Sequence, residues 1–435
     1  MKSYFIMSLG CKLSQFDAAA FGERMRSARL KPAAIPADSD LIVISSCTVT
    51  SKSDAQSRQL IRKVIRENPG TLVAVMGCYA RREAERIASI PGVDLVIADS
   101  YHPDLPATIL SMGGKGEKAR VLPPAEAGEN FFPITGFGTR TRPFVKVQDG
   151  CNAHCSYCVV RLVRGKSRSV PAEQVLSQVR LLGEKGFKEI VLTGINIGLW
   201  GKDLPGHRAL LDLLRILEKS GGVPRIRMSS IEPSDISEAF IDFMADSSVM
   251  MEHFHVPLQS GSEKVLRRMH RPYTAAAYRD LIRAIQEKIP DAGLGTDIIT
   301  GFPGEDERAF SETHDFVASL PFSYLHVFSY SERPNTGAAS LDGKVHGTSI
   351  RKRTNRLRAL SRKKNFVFRK RFLNHHLSCL VLHEKGPQGT LSCLSRNYIR
   401  ITAPGDTASE NAIVQVRIGE VTGKETLGTV TRVES

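Results

Sequence analysis

Along the first hundred residues one pattern repeats: a short run of apolar residues, a cysteine in the turn that follows, then a segment with apolar positions at helical spacing. The runs are 4–9, 41–46 and 71–76, the cysteines are Cys11, Cys47 and Cys78, and the spacing predicts helices from Gln15, Ser51 and Arg81. Residues 94–98 read as a fourth strand. Strands alternating with helices predict a doubly wound parallel sheet, whose ligands bind beyond the carboxyl ends of its strands. All three cysteines fall at those ends.

Residues 100–140 lose the periodicity and are rich in Gly and Pro, which predicts an irregular connection with one short helix. Alternation resumes at Phe144, with strands expected at 144–148, 189–193, 225–230, 253–258, 295–300 and 324–328 and helices between them. Six such units predict an open α/β barrel. Past residue 372 the pattern changes to short β-like runs at 377–383, 389–394, 398–402 and 413–418, which predict a small β-barrel. The fold class is therefore α/β, divided as 1–135, 136–367 and 368–435.

Composition narrows the picture. At 435 residues, with 41% hydrophobic and 24% charged, the chain is globular and too long to need disulfide staples, and neither extensive disorder nor a membrane bundle fits. No window approaches the roughly twenty apolar residues that span a bilayer, and the run at 4–9 is too short for an export signal. A cytoplasmic location without membrane contact is expected, so the eight cysteines are expected as reduced thiols. In that setting patterned cysteines point to metal or redox chemistry.

The formal charge is +15, and segment 351–372 alone holds 11 Lys or Arg and no acid. Leu357, Leu360, Val367 and Phe368 recur near helical spacing there, predicting an amphipathic helix with basic faces. A solvated helix is the plain reading. The density of uncompensated cations favours phosphate binding instead, with Arg362, Lys363, Lys364, Arg369, Lys370 and Arg371 as candidate RNA contacts.

Cys151, Cys155 and Cys158 form C-x-x-x-C-x-x-C directly after the first barrel strand. A 4Fe-4S cube normally takes four thiolates, so three close ones leave an iron open to an outside ligand. Zinc competes, but His154 sits awkwardly inside the motif for a fourth ligand. The placement of Cys11, Cys47 and Cys78 in turns, at equivalent strand ends, favours a second ligand set over three buried structural cysteines. Cys379 and Cys393 lie within β-like runs, where core packing is expected, and His253 and His255 alternate on one strand face as satisfied core histidines. Arg161, Arg164, Lys166 and Arg168 form a cationic run that faces either substrate phosphate or solvent.

The motif DGCNAHCSYC, with Tyr157 before its last cysteine, resembles that of radical S-adenosylmethionine enzymes. GCKLSQFD at 10–17, SSCTVT at 45–50 and MGCYA at 76–80 are similar to the three cysteine segments of the methylthiotransferases, a subgroup with an N-terminal cluster domain. SSIEP at 229–233, PLQSGS at 257–262, RMHRPYT at 268–274 and TDIITGFPGE at 296–305 also match, and the tail resembles the TRAM domain of RNA-modifying enzymes. One departure is Arg161, where relatives usually carry proline.

The resemblance implies two 4Fe-4S clusters, on Cys11, Cys47 and Cys78 and on Cys151, Cys155 and Cys158. It implies S-adenosylmethionine contacts at Thr193, Gly194, Asn196, Glu232, Gln259 and Ser260, an external electron donor and a sulfur source of unknown nature. One S-adenosylmethionine would methylate sulfur at the auxiliary cluster and a second would supply the radical. The segments look most like the subgroup that adds a methylthio group to carbon 2 of N6-threonylcarbamoyladenosine beside a tRNA anticodon. Isopentenyladenosine in tRNA, a ribosomal-protein aspartate, a non-catalytic iron-sulfur RNA-binding role and a zinc protein stand as alternatives.

Overall fold

Leu41–Ser46 is buried along its whole length, and its alternate residues enter two different cores. Leu41 and Val43 pack with Phe21, Met25 and Ala74, while Ile42 and Ile44 pack with Ile61, Val64 and Val75 on the other face. That two-sided burial is why Leu41, Ile42, Val43 and Ile44 form an unbroken apolar run. In the computed structural model, which describes residues 1–116, 118–124, 131–384, 386, 389–405 and 408–434, this strand lies within a parallel sheet. Its order is Lys31–Pro32, Ser3–Ser8, Leu41–Ser46, Leu72–Gly77, Leu95–Ile97 and Arg120–Leu122. The last of these arises inside the stretch expected to be irregular, where three residues are too few to leave a period. The single short helix expected there is Leu105–Leu110.

The central barrel is two three-stranded parallel sheets. One orders Arg225–Met228, Glu189–Thr193 and Phe144–Lys146, and the other His253–His255, Gly293–Thr300 and Tyr324–Ser329. Ile226 pairs with Met250 and the Ile231 N–H donates to His255 O at 3.0 Å, which carries the wall from one sheet to the other. No strand pairing among the described residues joins Phe144–Lys146 to Tyr324–Ser329, so the barrel is open. Helix Lys12–Ser27 packs beside the first barrel strand, with Phe16 stacked on Phe131 at 5.6 Å and shared with the barrel core.

Helix Gly347–Lys370 lies along Tyr324–Ser329, with Leu357 and Phe368 buried as the spacing predicted. Val367 is instead 55% exposed at the edge of the stripe. The following strands close into a five-stranded barrel ordered His376–Leu382, Leu391–Ser395, Arg400–Ala403, Thr426–Glu434 and Ile413–Val421. Thr426–Glu434 went unread because most of its side chains are partly or fully exposed. Cys379 and Cys393 are buried in the core of this barrel. It docks on the amino ends of the central strands: Arg225 donates to Ser378 O at 2.7 Å, and Arg227 to Arg396 O and Ser395 O at 3.0 and 3.1 Å. No helix of the described residues is long and apolar enough to cross a membrane.

Candidate functional site

After Phe144–Lys146 the chain turns at Gly150, in the left-handed region at φ +70°, where an added Cβ would lie 2.0 Å from Lys166 O. That turn delivers Cys151 to the carboxyl end of the strand. The loop carrying Cys155 and Cys158 is pinned by Ser156, whose N–H donates to Met269 O (3.1 Å) and whose hydroxyl donates to Arg268 O (2.7 Å). Tyr157 packs edge-on against Phe302. Arg271 donates from Nη1 to Cys155 Sγ at 3.1 Å and pairs through Nη2 with Glu232. Burial pushes the Cys158 thiol up to about 12 and raises Cys151 as well.

Gln148 ties this loop to the next strand end. Its Oε1 accepts the N–H groups of Ile195 and Asn196 at 3.0 and 2.9 Å, and its Nε2 donates to Asp149 O, Gly150 O and Ser167 Oγ. Gly194 is required there, because a Cβ would sit 2.9 Å from Gln148 Oε1. The Asn196 amide faces the Cys151 sulfur, and its buried Oδ1 has no partner among the described residues. Gln259 takes φ +69° and bonds through its backbone to Asp297 O and the Ile299 N–H. Ser260 is fully buried with its hydroxyl 3.0 Å from Thr313 Oγ1, and Thr193 is a wall residue whose carbonyl accepts from Val147. Asn196 and Glu232 are thus gathered at the cysteine loop, with Gly194 beneath it, whereas the side chains of Thr193 and Ser260 are turned into packing.

The N-terminal cysteines follow three adjacent parallel strands, in which Ser8 pairs with Ser45 and Ser46 with Gly77. Cys11 caps Lys12–Ser27, Cys47 follows Leu41–Ser46, and Cys78 opens Cys78–Arg82. Gly77 permits that last turn at φ +93°, where a Cβ would lie 2.6 Å from Ser46 O. Burial raises the Cys78 thiol, with Cys11 and Cys47 close enough to add to the effect.

The donor sets fit iron-sulfur cubes. Among the described residues, the one group of three potential ligands with all ligand atoms within 4.8 Å of each other is His255, Asp297 and His326. Three soft thiolate donors in each set, with the unpartnered Asn196 oxygen beside Cys151, suit a cluster with an organic ligand at its open iron.

Arg164, six residues after Cys158 in sequence, reaches the N-terminal trio. Its Nε–H donates to Cys78 Sγ at 3.2 Å, Nη1 to both oxygens of Asp149 (3.0 and 3.1 Å), and Nη2 to Ser14 Oγ (3.3 Å) and Asp17 Oδ2 (3.1 Å). Lys146 lies 3.2 Å from Asp17 with its ammonium 4.2 Å from the centre of the Tyr101 ring. Burial alone would raise the Asp149 carboxyl, but Arg164 and Lys146 hold it well below the usual carboxylate range. The expectation that Arg164 faces phosphate or solvent is corrected: two buried aspartates, Asp17 on helix Lys12–Ser27 and Asp149 after the first barrel strand, hold it inside. Arg161, in place of a proline, puts its Nη1 2.6 Å from the ring nitrogens of His154.

Below the cysteine loop, His255 Nε2 is 2.8 Å from Asp297 Oδ1 and His326 Nδ1 is 3.3 Å from the same oxygen. Tyr324 OH meets both His255 Nδ1 (3.0 Å) and His253 Nε2 (2.8 Å). His255 is thus satisfied, while buried His253 Nδ1 has no partner among the described residues. Sequence reasoning named neither Arg271 nor His326 and Asp297; RMHRPYT and TDIITGFPGE carried the signal, but a motif does not say which side chain turns inward.

On the basic helix, Lys364 donates to Ala318 O and Leu320 O at 2.8 and 2.5 Å, and burial lowers its ammonium to about 8. Arg369 donates to Thr426 Oγ1 and Thr422 O, and Arg371 pairs with Asp291. Arg362, Lys363 and Lys370 are exposed, and their side chains make no hydrogen bond or ion pair among the described residues.

A model of the radical SAM superfamily matches residues 145–317, and one of an uncharacterised protein family, UPF0004, matches residues 3–98. The chain is 34% identical over 423 residues to a threonylcarbamoyladenosine tRNA methylthiotransferase of Bacillus subtilis (strain 168), covering 94% of this chain and 92% of that protein. It is 35% identical to the protein of that name from Aquifex aeolicus (strain VF5), over 92% and 96%. It is 32% identical to a tRNA-2-methylthio-N(6)-dimethylallyladenosine synthase of Sphingopyxis alaskensis, over 98% and 97%. Among solved structures, the radical S-adenosylmethionine methyltransferase TsrM from Kitasatospora setae shares the fold, with a TM-score of 0.55 at 14% identity over 78% of this chain and 74% of that chain.

Proposed function

This chain belongs to the methylthiotransferase family of radical S-adenosylmethionine enzymes, and from that premise we propose that it adds a methylthio group to carbon 2 of N6-threonylcarbamoyladenosine beside the anticodon of tRNA. The observation that carries the reading is the arginine bridge: Arg164 follows Cys158 by six residues yet bonds Cys78, so both cysteine trios serve one site. Cys151, Cys155 and Cys158 would hold a cluster that, when bound, would supply reductive cleavage of S-adenosylmethionine with an electron from an external donor, and Cys11, Cys47 and Cys78 one that would supply the transferred sulfur.

The chain's own residues bind and orient. Gln148 fixes the Gly194–Asn196 turn against the cysteine loop, where the free Asn196 oxygen would accept from the amino group and the Glu232 carboxylate from the ribose hydroxyls of S-adenosylmethionine. Arg271 holds Glu232 in place. An aromatic C–H offers no acidity for a base to exploit, so orientation and exclusion of water are the protein's share of the work. The three elements fall to distinct tasks: residues 1–135 hold the auxiliary cluster, 136–367 the S-adenosylmethionine site, and 368–435, with the exposed cations of the preceding helix, the RNA.

The relatives carry two nucleoside names at similar identity and coverage, so a dimethylallyl-modified adenosine is the second reading. Mass spectrometry of tRNA nucleosides from cells with and without the gene decides between them: loss of the methylthio form of threonylcarbamoyladenosine supports the first, loss of the dimethylallyl form the second, and an unchanged tRNA profile overturns both.

A further inference from the structure

All three guanidinium nitrogens of Arg164 are engaged: Nη1 with the Asp149 carboxylate, Nη2 with Asp17 and Ser14, and Nε with Cys78 Sγ. The guanidinium is 7% exposed, and the two aspartates balance it together with Lys146, so its charge is fixed and its orientation has no freedom left. An interdomain ion pair would need only the Asp contacts. The Nε–H contact goes to a sulfur that the fold presents at the sheet edge, from a helix, Val160–Arg164, that starts two residues after the last cysteine of the other trio.

We propose that Arg164 is a positioning residue that donates a charged hydrogen bond to the sulfur with which Cys78 holds the auxiliary cluster, and thereby raises that cluster's reduction potential. The inference rests on the two-cluster reading. Donation to a ligating sulfur withdraws electron density and favours the more negative, reduced cluster, one of the recognised ways a protein tunes such a potential. Lysine in its place keeps a positive charge near Asp149 and Asp17, but it lacks the planar fork that reaches three partners at once.

The test uses the full-length chain with Cys151, Cys155 and Cys158 replaced by Ala, so that only the auxiliary cluster contributes signals. Arg164→Lys in that background is expected to move the cluster potential at least tenfold toward the oxidised form at fixed solution potential, about 59 mV more negative for one electron. With guanidinium nitrogens labelled by 15N, the reduced cluster of the protein that retains Arg164 is expected to show a nitrogen hyperfine coupling. That coupling should persist in Arg81→Lys, which alters the neighbouring arginine of the same pocket. This second measurement stands even if Arg164→Lys fails to load a cluster. A loaded cluster with no 15N coupling, or with a potential indifferent to Arg164→Lys, overturns the role of Arg164. Absence of iron and sulfide from the cysteine-substituted background overturns the two-cluster reading itself.

Discussion

The ring of Tyr398 stacks on His253 with centroids 4.2 Å apart, joining the C-terminal barrel to the amino end of a central strand. Arg227 lies 5.1 Å from the same ring, and Tyr398 holds φ +72°, a conformation asparagine tolerates better than most residues. A stacked aromatic pair contributes about 1 kcal/mol beyond its area. Tyr398→Asn is therefore expected to loosen the docked barrel and to speed amide exchange in His376–Leu382 and Leu391–Ser395 by about fivefold. Unchanged exchange would assign the docking to Arg225, Arg227 and Arg396 alone.

Asp297 faces two imidazoles. Burial alone would raise its carboxyl, but hydrogen bonds with His255 and His326 outweigh burial and hold it well below the usual carboxylate range. As pH falls, the unfolded chain takes up this proton first, beginning near its ordinary value of about 3.9, so the stability the group contributes is full above about pH 5 and drains away below about pH 4. Trp200, the single tryptophan, is buried with its indole N–H on Val170 O and reports unfolding of the central barrel. In metal-free protein Asp297→Asn is expected to cost about 1–3 kcal/mol in urea titrations at pH 7. The gap should persist to about pH 5 and close toward about pH 3. A gap independent of pH would mean that packing, not charge, carries the effect.

What the sequence made legible follows from how far each signal acts along the chain. The strands of both α/β units were readable because two-sided burial writes itself as continuous apolar runs, as at 41–46, and the cysteines stood out because they occupy the turns after those runs. Arg120–Leu122 and Thr426–Glu434 were not readable: the first is three residues long and the second is half solvated. The cation run at 351–372 divides in a way its sequence does not show. Lys364 falls in the stripe between Leu360 and Phe368, and Arg369 beside it, and both spend their charge on carbonyls and a hydroxyl some 44 to 57 positions away. Arg164 and Arg271 were equally opaque, since their meaning depends on Asp17 and Glu232, which only the tertiary fold brings near.

The two cysteine sets are expected to lose their metal independently. Replacing Cys151, Cys155 and Cys158 by Ala should remove one cluster from anaerobically reconstituted protein, and replacing Cys11, Cys47 and Cys78 the other, as read by iron and acid-labile sulfide. The N-terminal variant should still convert S-adenosylmethionine to 5′-deoxyadenosine while making no methylthio nucleoside. Both clusters surviving either replacement would refute the ligand assignment.

The cations of the basic helix divide by their partners, and so should their phenotypes. Changing Arg362, Lys363 and Lys370 to Gln removes exposed charges without touching an internal contact. For every phosphate that a cation no longer neutralises, the slope of log affinity against log salt should fall by just under one, so tRNA binding should weaken and become less salt-sensitive while the unfolding temperature stays put. Changing Lys364, Arg369 and Arg371 to Gln instead strips donors from Leu320 O, Thr422 O and Asp291. A buried acceptor left unmatched costs about 1–3 kcal/mol, so this variant should be less stable. Neither set touches a cysteine ligand, and S-adenosylmethionine cleavage without RNA should survive in the first. Filter binding across a salt series separates the outcomes. If the exposed triple leaves both affinity and slope unchanged, this helix is a solvated face, and the RNA is held by the C-terminal barrel or by the arginine-lined cleft of Arg140, Arg142 and Arg400 at its junction with the central barrel.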